Sequence, residues 1–125
     1  MKKDIYDFLI FKLNSEHSDY EFDLIAIPPY EIIEQGLSLE PYEYFGTIVE
    51  ILHQKTKHIL LYFNADVLMR VEFLFKGDLI NSLKQQLDSI NVELPDYLML
   101  ILRKNRKYTI LMYQNKVLNK PLKLK

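Results

Sequence analysis

The residues of this chain best suited to acid–base or metal chemistry are three histidines, His17, His53 and His58, in a sequence without cysteine. His17 lies in the segment Ser15-Glu16-His17-Ser18-Asp19, which contains the residue types of a hydrolytic triad. Working triads are assembled from distant positions on a rigid scaffold, not from neighbours within one loop. We therefore predict a solvated polar loop at this segment.

The second candidate site is formed by His53 and His58, which flank the polar segment Gln54-Lys55-Thr56-Lys57. If that segment is a hairpin loop, the two imidazoles face each other on neighbouring strands and could bind a metal or share a proton. Structural zinc normally has four protein ligands, and no third ligand lies nearby in the sequence. We therefore predict two surface histidines and no metal site.

Acidic pairs are a third possibility: Glu21 with Asp23 on a predicted strand, and Glu31 with Glu34 on a predicted helix. Each pair projects to one side of its element. Paired carboxylates become acid and base only when a pocket separates their pKa values. An exposed polar face explains both pairs without a pocket.

Glycine and cysteine usage excludes several enzyme classes. The three glycines are isolated at positions 36, 46 and 77 and cannot form a phosphate-binding loop, which needs several close together. The absence of cysteine removes thiol catalysis and cysteine-ligated zinc. The chain also has no zinc-protease, nucleophile-elbow or calcium-loop motif. We predict a protein that is not an enzyme and binds no cofactor.

Length and hydropathy predict one domain over residues 1–125, since domains typically contain about 100–150 residues. Asp4 and Asp7 interrupt the apolar stretch after the N-terminus, so the pattern is not that of a signal peptide. No uncharged run exceeds about eight residues, against about 18 for a membrane-spanning helix. These features predict a cytoplasmic protein without membrane contact.

Hydrophobic periodicity predicts an α+β fold, with an antiparallel sheet of hairpins carrying one or two packed helices. Residues 5–13 fit either a helix or a strand. The predicted strands cover residues 20–27, 44–52, 58–63, 67–75, 97–102 and 108–113. The predicted helices cover residues 30–35 and 79–90, with Gly36 ending the first and Asp78 capping the second. The remaining loops, turns and tail are predicted at residues 14–19, 37–41, 54–57, 64–66, 103–107 and 117–125.

The centre of the chain allows an alternative. Residues 47–76 contain neither glycine nor proline, and Ile48, Leu52, Ile59 and Phe63 lie near helical spacing. A mostly helical centre is therefore the second fold hypothesis.

The charge distribution is the strongest functional signal. Residues 1–50 contain eleven acidic and three basic side chains, whereas residues 51–125 contain six acidic and thirteen basic ones. No lysine or arginine lies between Lys12 and Lys55, a stretch of 42 residues that includes nine acids and six aromatic residues. If this stretch is exposed, it forms an acidic, tyrosine-rich surface suited to a basic partner.

The leading functional hypothesis is a non-catalytic binding protein that neutralises a basic protein partner such as a nuclease toxin. Acidic inhibitors of nucleases, including bacterial toxin-immunity proteins, work on this physical principle, and the likeness is one of composition only. The predicted partner-binding residues are Glu16, Asp19, Tyr20, Glu21, Asp23, Tyr30, Glu34, Glu40, Tyr42, Glu43 and Tyr44.

Another hypothesis concerns the basic half. Arg103-Lys104-Asn105-Arg106-Lys107, followed by Tyr108, could contact phosphate and make the chain a nucleic-acid-binding accessory domain. A net charge of -1 argues against nucleic acid as the main partner, since dedicated binders are strongly basic. Two hypotheses remain: a small hydrolase that uses His17, His53 or His58, and a homo-oligomer in which the acidic and basic halves pair.

Overall fold

The computed structural model describes residues 3–119, and its main feature is a large antiparallel sheet. Residues 3–119 are 48% strand and 20% helical, so the predicted α+β class is confirmed with the sheet dominant. Within residues 3–119, no helix is long and apolar enough to cross a membrane.

The strands are numbered in chain order, and most are short. They are β1 (Lys3–Asp4), β2 (Leu24–Ala26), β3 (Ile32–Glu34), β4 (Leu37–Tyr44), β5 (Glu50–Ile51), β6 (Gln54–Lys55), β7 (His58–Asn64), β8 (Val67–Lys76), β9 (Val92–Glu93), β10 (Leu98–Asn105) and β11 (Tyr108–Asn115). The two α-helices are α1 (Tyr6–Leu9) and α2 (Ile80–Ser89). Three single 3₁₀ turns cover His17–Asp19, Glu21–Asp23 and Lys116–Asn119.

The central sheet has the strand order β10-β11-β8-β7-β4-β2, and all its neighbours are antiparallel. β3 pairs with the first part of β4, on the same side as β2. Two-residue turns with positive φ join β3 to β4 at Gln35-Gly36 and β7 to β8 at Ala65-Asp66. Such turns match the twist of paired strands, which explains the tight hairpins.

One face of the sheet carries the main core. Phe73 and Phe75 of β8 are fully buried there beside Leu61 of β7 and Tyr113 of β11. α2 places Leu83 on this face because its apolar residues recur at helical spacing.

The N-terminal segment, which fitted both helix and strand, lies on the same face. It begins with α1 and then buries Phe11 and Leu13. The hydroxyl of the buried Tyr113 donates to the backbone carbonyl of Phe11, 2.5 Å away, which ties this segment to the sheet.

A β-bulge in β8 changes which side chains share that face. The register shifts between Tyr62 and Phe63 of β7, so Leu68 joins the main core while Met69 joins a second cluster with Leu39 and Leu118. The strict alternation predicted for residues 67–75 is therefore wrong at Val67 and Met69, which lie with the second cluster because the bulge inserts one unpaired residue.

The predictions for β7, β8, α2, the turn at residues 64–66 and the β10–β11 hairpin are confirmed, except that Leu79 and not Asp78 is the N-cap of α2. The predicted helix at residues 30–35 is wrong, because these residues include β3, and the loop at residues 37–41 is instead part of β4. The predicted strand at residues 20–27 is reduced to β2, preceded by a 3₁₀ turn.

The middle of the chain also departs from both hypotheses. Residues 47–76 contain strands and loops, so the helical centre is wrong. The predicted strand at residues 44–52 is mostly a loop, and the predicted hairpin loop at residues 54–57 contains β6, which pairs with β5. The predicted tail begins in the 3₁₀ turn Lys116–Asn119, where Leu118 is buried, and its residues 120–125 lie outside the described residues.

Candidate partner-binding surface

The outermost strand on the acidic side of the sheet is β2, which pairs on one side only, with β4. The amide of Phe45 donates to the carbonyl of Asp23 (2.9 Å), and the amide of Ile27 donates to the carbonyl of Pro41 (3.2 Å). Backbone groups alternate in direction along a strand. Leu24 and Ala26 therefore present their amide and carbonyl groups to the open side.

Large apolar side chains are exposed along this edge. Phe22 is 87% exposed and Ile25 is 58% exposed on the β2 side, and Phe45, which directly follows β4, is 61% exposed. Tyr30 and Ile33 continue the exposed series toward and along β3. Exposed apolar groups bordered by charges are typical of protein interaction sites.

Four exposed carboxylates lie in the two successive 3₁₀ turns before β2 and at their start, without internal compensation. Glu16 and Asp19 close a 3₁₀ turn on each other's backbone, and Glu21 and Asp23 lie in the next turn, beside Phe22. All four are exposed, and within residues 3–119 none of them forms an ion pair. We call the group Glu21, Phe22, Asp23, Ile25 and Phe45 the edge surface.

Two other predicted site residues are bound within the chain. Glu34 of β3 binds the guanidinium group of Arg70 on β8, and Glu43 of β4 lies 2.7 Å from Nδ1 of His58. Part of the acidic half is thus offset by the basic half inside the fold. Glu40, also predicted, is half-buried on β4 opposite Phe63.

The predicted tyrosines are mainly structural. Tyr44 is buried with its ring 5.0 Å from that of Phe11, and Tyr20 packs 5.6 Å from the same ring. Tyr42 is half-buried beside His17, with ring centroids 4.9 Å apart. Partial burial, with the nearby carboxylates of Glu40 and Asp66, raises the pKa of Tyr42. Tyr30 is the member of the predicted set whose ring is exposed.

The exposed apolar residues are what sequence reasoning missed. Phe22 and Phe45 belong to the aromatic residues of the acidic stretch, yet only tyrosines were included in the predicted site. The available signal was an aromatic residue directly between two acids, as in Glu21-Phe22-Asp23. Ile25 and Ile33 gave no such signal, because their exposure depends on β2 and β3 lying at the sheet edge.

Phe45 is positioned by the loop that follows β4. The hydroxyl of Tyr44 turns back and accepts a hydrogen bond from the amide of Ile48 (3.3 Å). A Cβ atom at Gly46 would lie 2.2 Å from that hydroxyl oxygen, so the position admits only glycine in this arrangement. Tyr44 and Gly46 therefore fix the loop that presents Phe45.

The three histidines lie in separate surroundings. His17 packs against Tyr42 and Phe63, and Asp19 accepts from the amide of Glu16 (3.1 Å). His53 lies exposed in the β5–β6 turn, whereas His58 lies on β7. No group of three or more potential ligands in residues 3–119 could hold a metal ion.

Comparison with protein-family models, with curated proteins and with solved structures found no significant match. The function is therefore argued from the geometry of the chain itself.

Proposed function

We propose that this chain is a non-catalytic binding protein that neutralises a basic protein partner through the edge surface, in the manner of bacterial toxin-immunity proteins. One observation carries the proposal. Among residues 3–119, six of the nine exposed large hydrophobic side chains fall in the stretch that lacks lysine and arginine: Phe22, Ile25, Tyr30, Ile33, Phe45 and Val49.

The two kinds of side chain have different roles in this proposal. Uncompensated carboxylates at Glu21 and Asp23 attract a basic surface over distances of about a Debye length and raise the association rate. Phe22 and Phe45 supply the apolar area whose burial slows dissociation, as aromatic residues do at the centre of interfaces. Glu34 and Glu43 serve the fold, since each already binds a basic side chain.

The test uses two variants with the same change in net charge. The edge variant carries Glu21→Lys and Asp23→Lys, and the control carries Asp88→Lys and Glu93→Lys, two exposed acids outside the edge surface. Each protein is immobilised and challenged with extracts of the source cell and of competing strains. We expect a basic protein to be retained by the wild type and the control and lost by the edge variant.

The captured partner then allows a quantitative test. Its association rate should fall with salt and fall further in the edge variant, whereas Phe22→Ala should weaken affinity about tenfold or more, mainly through faster dissociation. The captured partner should also lose its own activity on binding. A partner that the edge variant binds as rapidly and as tightly as the wild type would overturn the proposal.

A further inference from the structure

The end of the sheet where β7 begins and β8 ends gathers three lysines from separate segments. The amide of Lys57 donates to the carbonyl of Leu74 (2.7 Å), and Lys76 pairs with Tyr108 across β8 and β11. The amide of Gly77 donates to the carbonyl of Lys107 (2.7 Å). These contacts bring Lys57, Lys76, Lys107 and Tyr108 around one hollow, which we call the lysine corner.

The ammonium groups of the lysine corner lack acidic partners. Within residues 3–119, none of the three lysines forms an ion pair, although Arg70 and Arg103 on the same sheet are each paired with a carboxylate. All three lysines are exposed, and together they give this corner of the sheet a positive local charge that attracts an anion. The charge pattern therefore favours a ligand with several negative charges.

Tyr108 gives this corner a flat apolar surface. Tyr108 is half-buried, and with Lys107 it also lines a second hollow, whose other lining residues are Leu74, Asn105 and Arg106. The ammonium group of Lys107 lies 5.5 Å from the ring centroid, and the His58 ring packs edge-on at 6.1 Å. An aromatic ring beside several basic side chains matches how single-stranded nucleic acids are bound, with bases stacked and phosphates contacted by the basic groups.

We propose that the lysine corner binds single-stranded nucleic acid, with a base stacked on Tyr108 and backbone phosphates contacted by Lys57, Lys76 and Lys107. The sequence drew attention only to residues 103–108, and the fold adds Lys57 and Lys76 from two other segments. The net charge of -1 does not oppose this site, because the edge surface and the lysine corner carry opposite charge on different strands. The site goes beyond the proposed protein partner.

The experiment measures fluorescence anisotropy of a labelled oligothymidylate of about a dozen nucleotides, a length within known site sizes. The triple variant Lys57→Gln, Lys76→Gln, Lys107→Gln is compared with Lys12→Gln, Lys84→Gln, Lys116→Gln, which removes three other exposed lysines. Each lost phosphate contact reduces the slope of log affinity against log salt by about 0.7. We expect the corner variant to lose a slope of about 2 and the control to keep the wild-type slope.

The role of Tyr108 is tested separately. Tyr108→Leu should weaken binding about tenfold with an unchanged salt slope, whereas Tyr108→Phe should bind like the wild type, because stacking needs the ring and not the hydroxyl. Thermal unfolding of both variants establishes that they are folded.

Competition against the labelled oligothymidylate identifies the class of ligand that the lysine corner prefers. A duplex of equal length should compete poorly, because its bases are already stacked. Equal competition by the duplex or by polyglutamate would overturn the proposal, as would equal losses in both triple variants or no binding at low salt. These measurements use the isolated chain, so their failure would leave the proposed protein partner untouched.

Discussion

The guanidinium group of Arg70 on β8 binds the carboxylate of Glu34 on β3, although β7 and β4 lie between these strands in the pairing order. The β3–β4 hairpin therefore leans over the second face of the sheet, where Leu39 packs against Met69. Nε of the same Arg70 donates to Oε1 of Gln114 on β11 (2.6 Å). One basic side chain thus connects the sheet edge to its centre.

We expect Glu34→Gln to lower the free energy of unfolding by about 1–2 kcal/mol, because it leaves a largely buried guanidinium group without its charged partner. This loss of stability is smaller than the loss expected on breaking a fully buried ion pair, because the Glu34 side chain is 35% exposed and solvent screens its charge. Urea unfolding measures the change. The matched variant Glu21→Gln should leave the midpoint unchanged, and equal midpoints for the two variants would contradict the importance of this contact.

Gly46→Ala should both destabilise the fold and disturb the edge surface. The added methyl group collides with the Tyr44 ring, whose hydroxyl binds the amide of Ile48. Overpacking of this kind costs about 1–3 kcal/mol, measurable by urea unfolding. Thr47→Ala, at the exposed neighbouring position, is the control. A wild-type midpoint for Gly46→Ala would show that Tyr44 is not fixed as described.

The fold should lose stability in alkali because of its buried tyrosines. Burial raises the pKa of Tyr113 well above its ordinary value of 10.0, and burial together with the carboxylate of Glu72 raises that of Tyr62. Above pH 10 the unfolded chain releases these protons while the folded chain keeps them. The free energy of unfolding therefore falls as the pH rises from 10 toward the folded-state values.

Urea midpoints measured between about pH 8 and 11 test this expectation. Tyr113→Phe should be less stable than the wild type near pH 8 by about 1 kcal/mol, because the hydrogen bond to Phe11 is lost. Its decline above pH 10 should be shallower, since one of the coupled protons is gone. Parallel declines for the two proteins would rule out a contribution from Tyr113.

Periodicity was sufficient for the long elements and failed for the short ones. β8 and α2 are ten residues long each, so local patterns locate them even though the β-bulge interrupts the alternation of β8. β3 is three residues long, and Gly36, interpreted as a helix end, instead occupies the β3–β4 turn with φ +78°. A glycine at positive φ is typical both of a helix C-terminus and of a tight hairpin turn. Only the β-branched pair Ile32-Ile33 favoured a strand.

The sequence was sufficient to predict the acidic charge of the edge surface, but not which of its side chains are exposed. The gap between Lys12 and Lys55 identified the acidic stretch that contains the edge surface. Tyr44 is buried because it packs against Phe11, which is distant in the sequence, whereas Phe22 is exposed. Such contacts are set by the tertiary fold and cannot be read from the local sequence. The lysine corner could not be predicted from the sequence for the same reason, because backbone pairing in the fold brings Lys57 and Lys76 to Tyr108.

The interruption between β2 and β3 has a consequence for self-association. Both strands pair with β4 along one side, but Pro28 and Pro29 separate them, so each has only three paired residues. Proline has no amide hydrogen to donate, and a stretch of three residues is too short a template for an incoming strand to extend into a fibril. The sheet edge thus exposes apolar side chains but offers no long run of free backbone groups for strand pairing. This arrangement disfavours aggregation and leaves the side chains accessible to a binding partner.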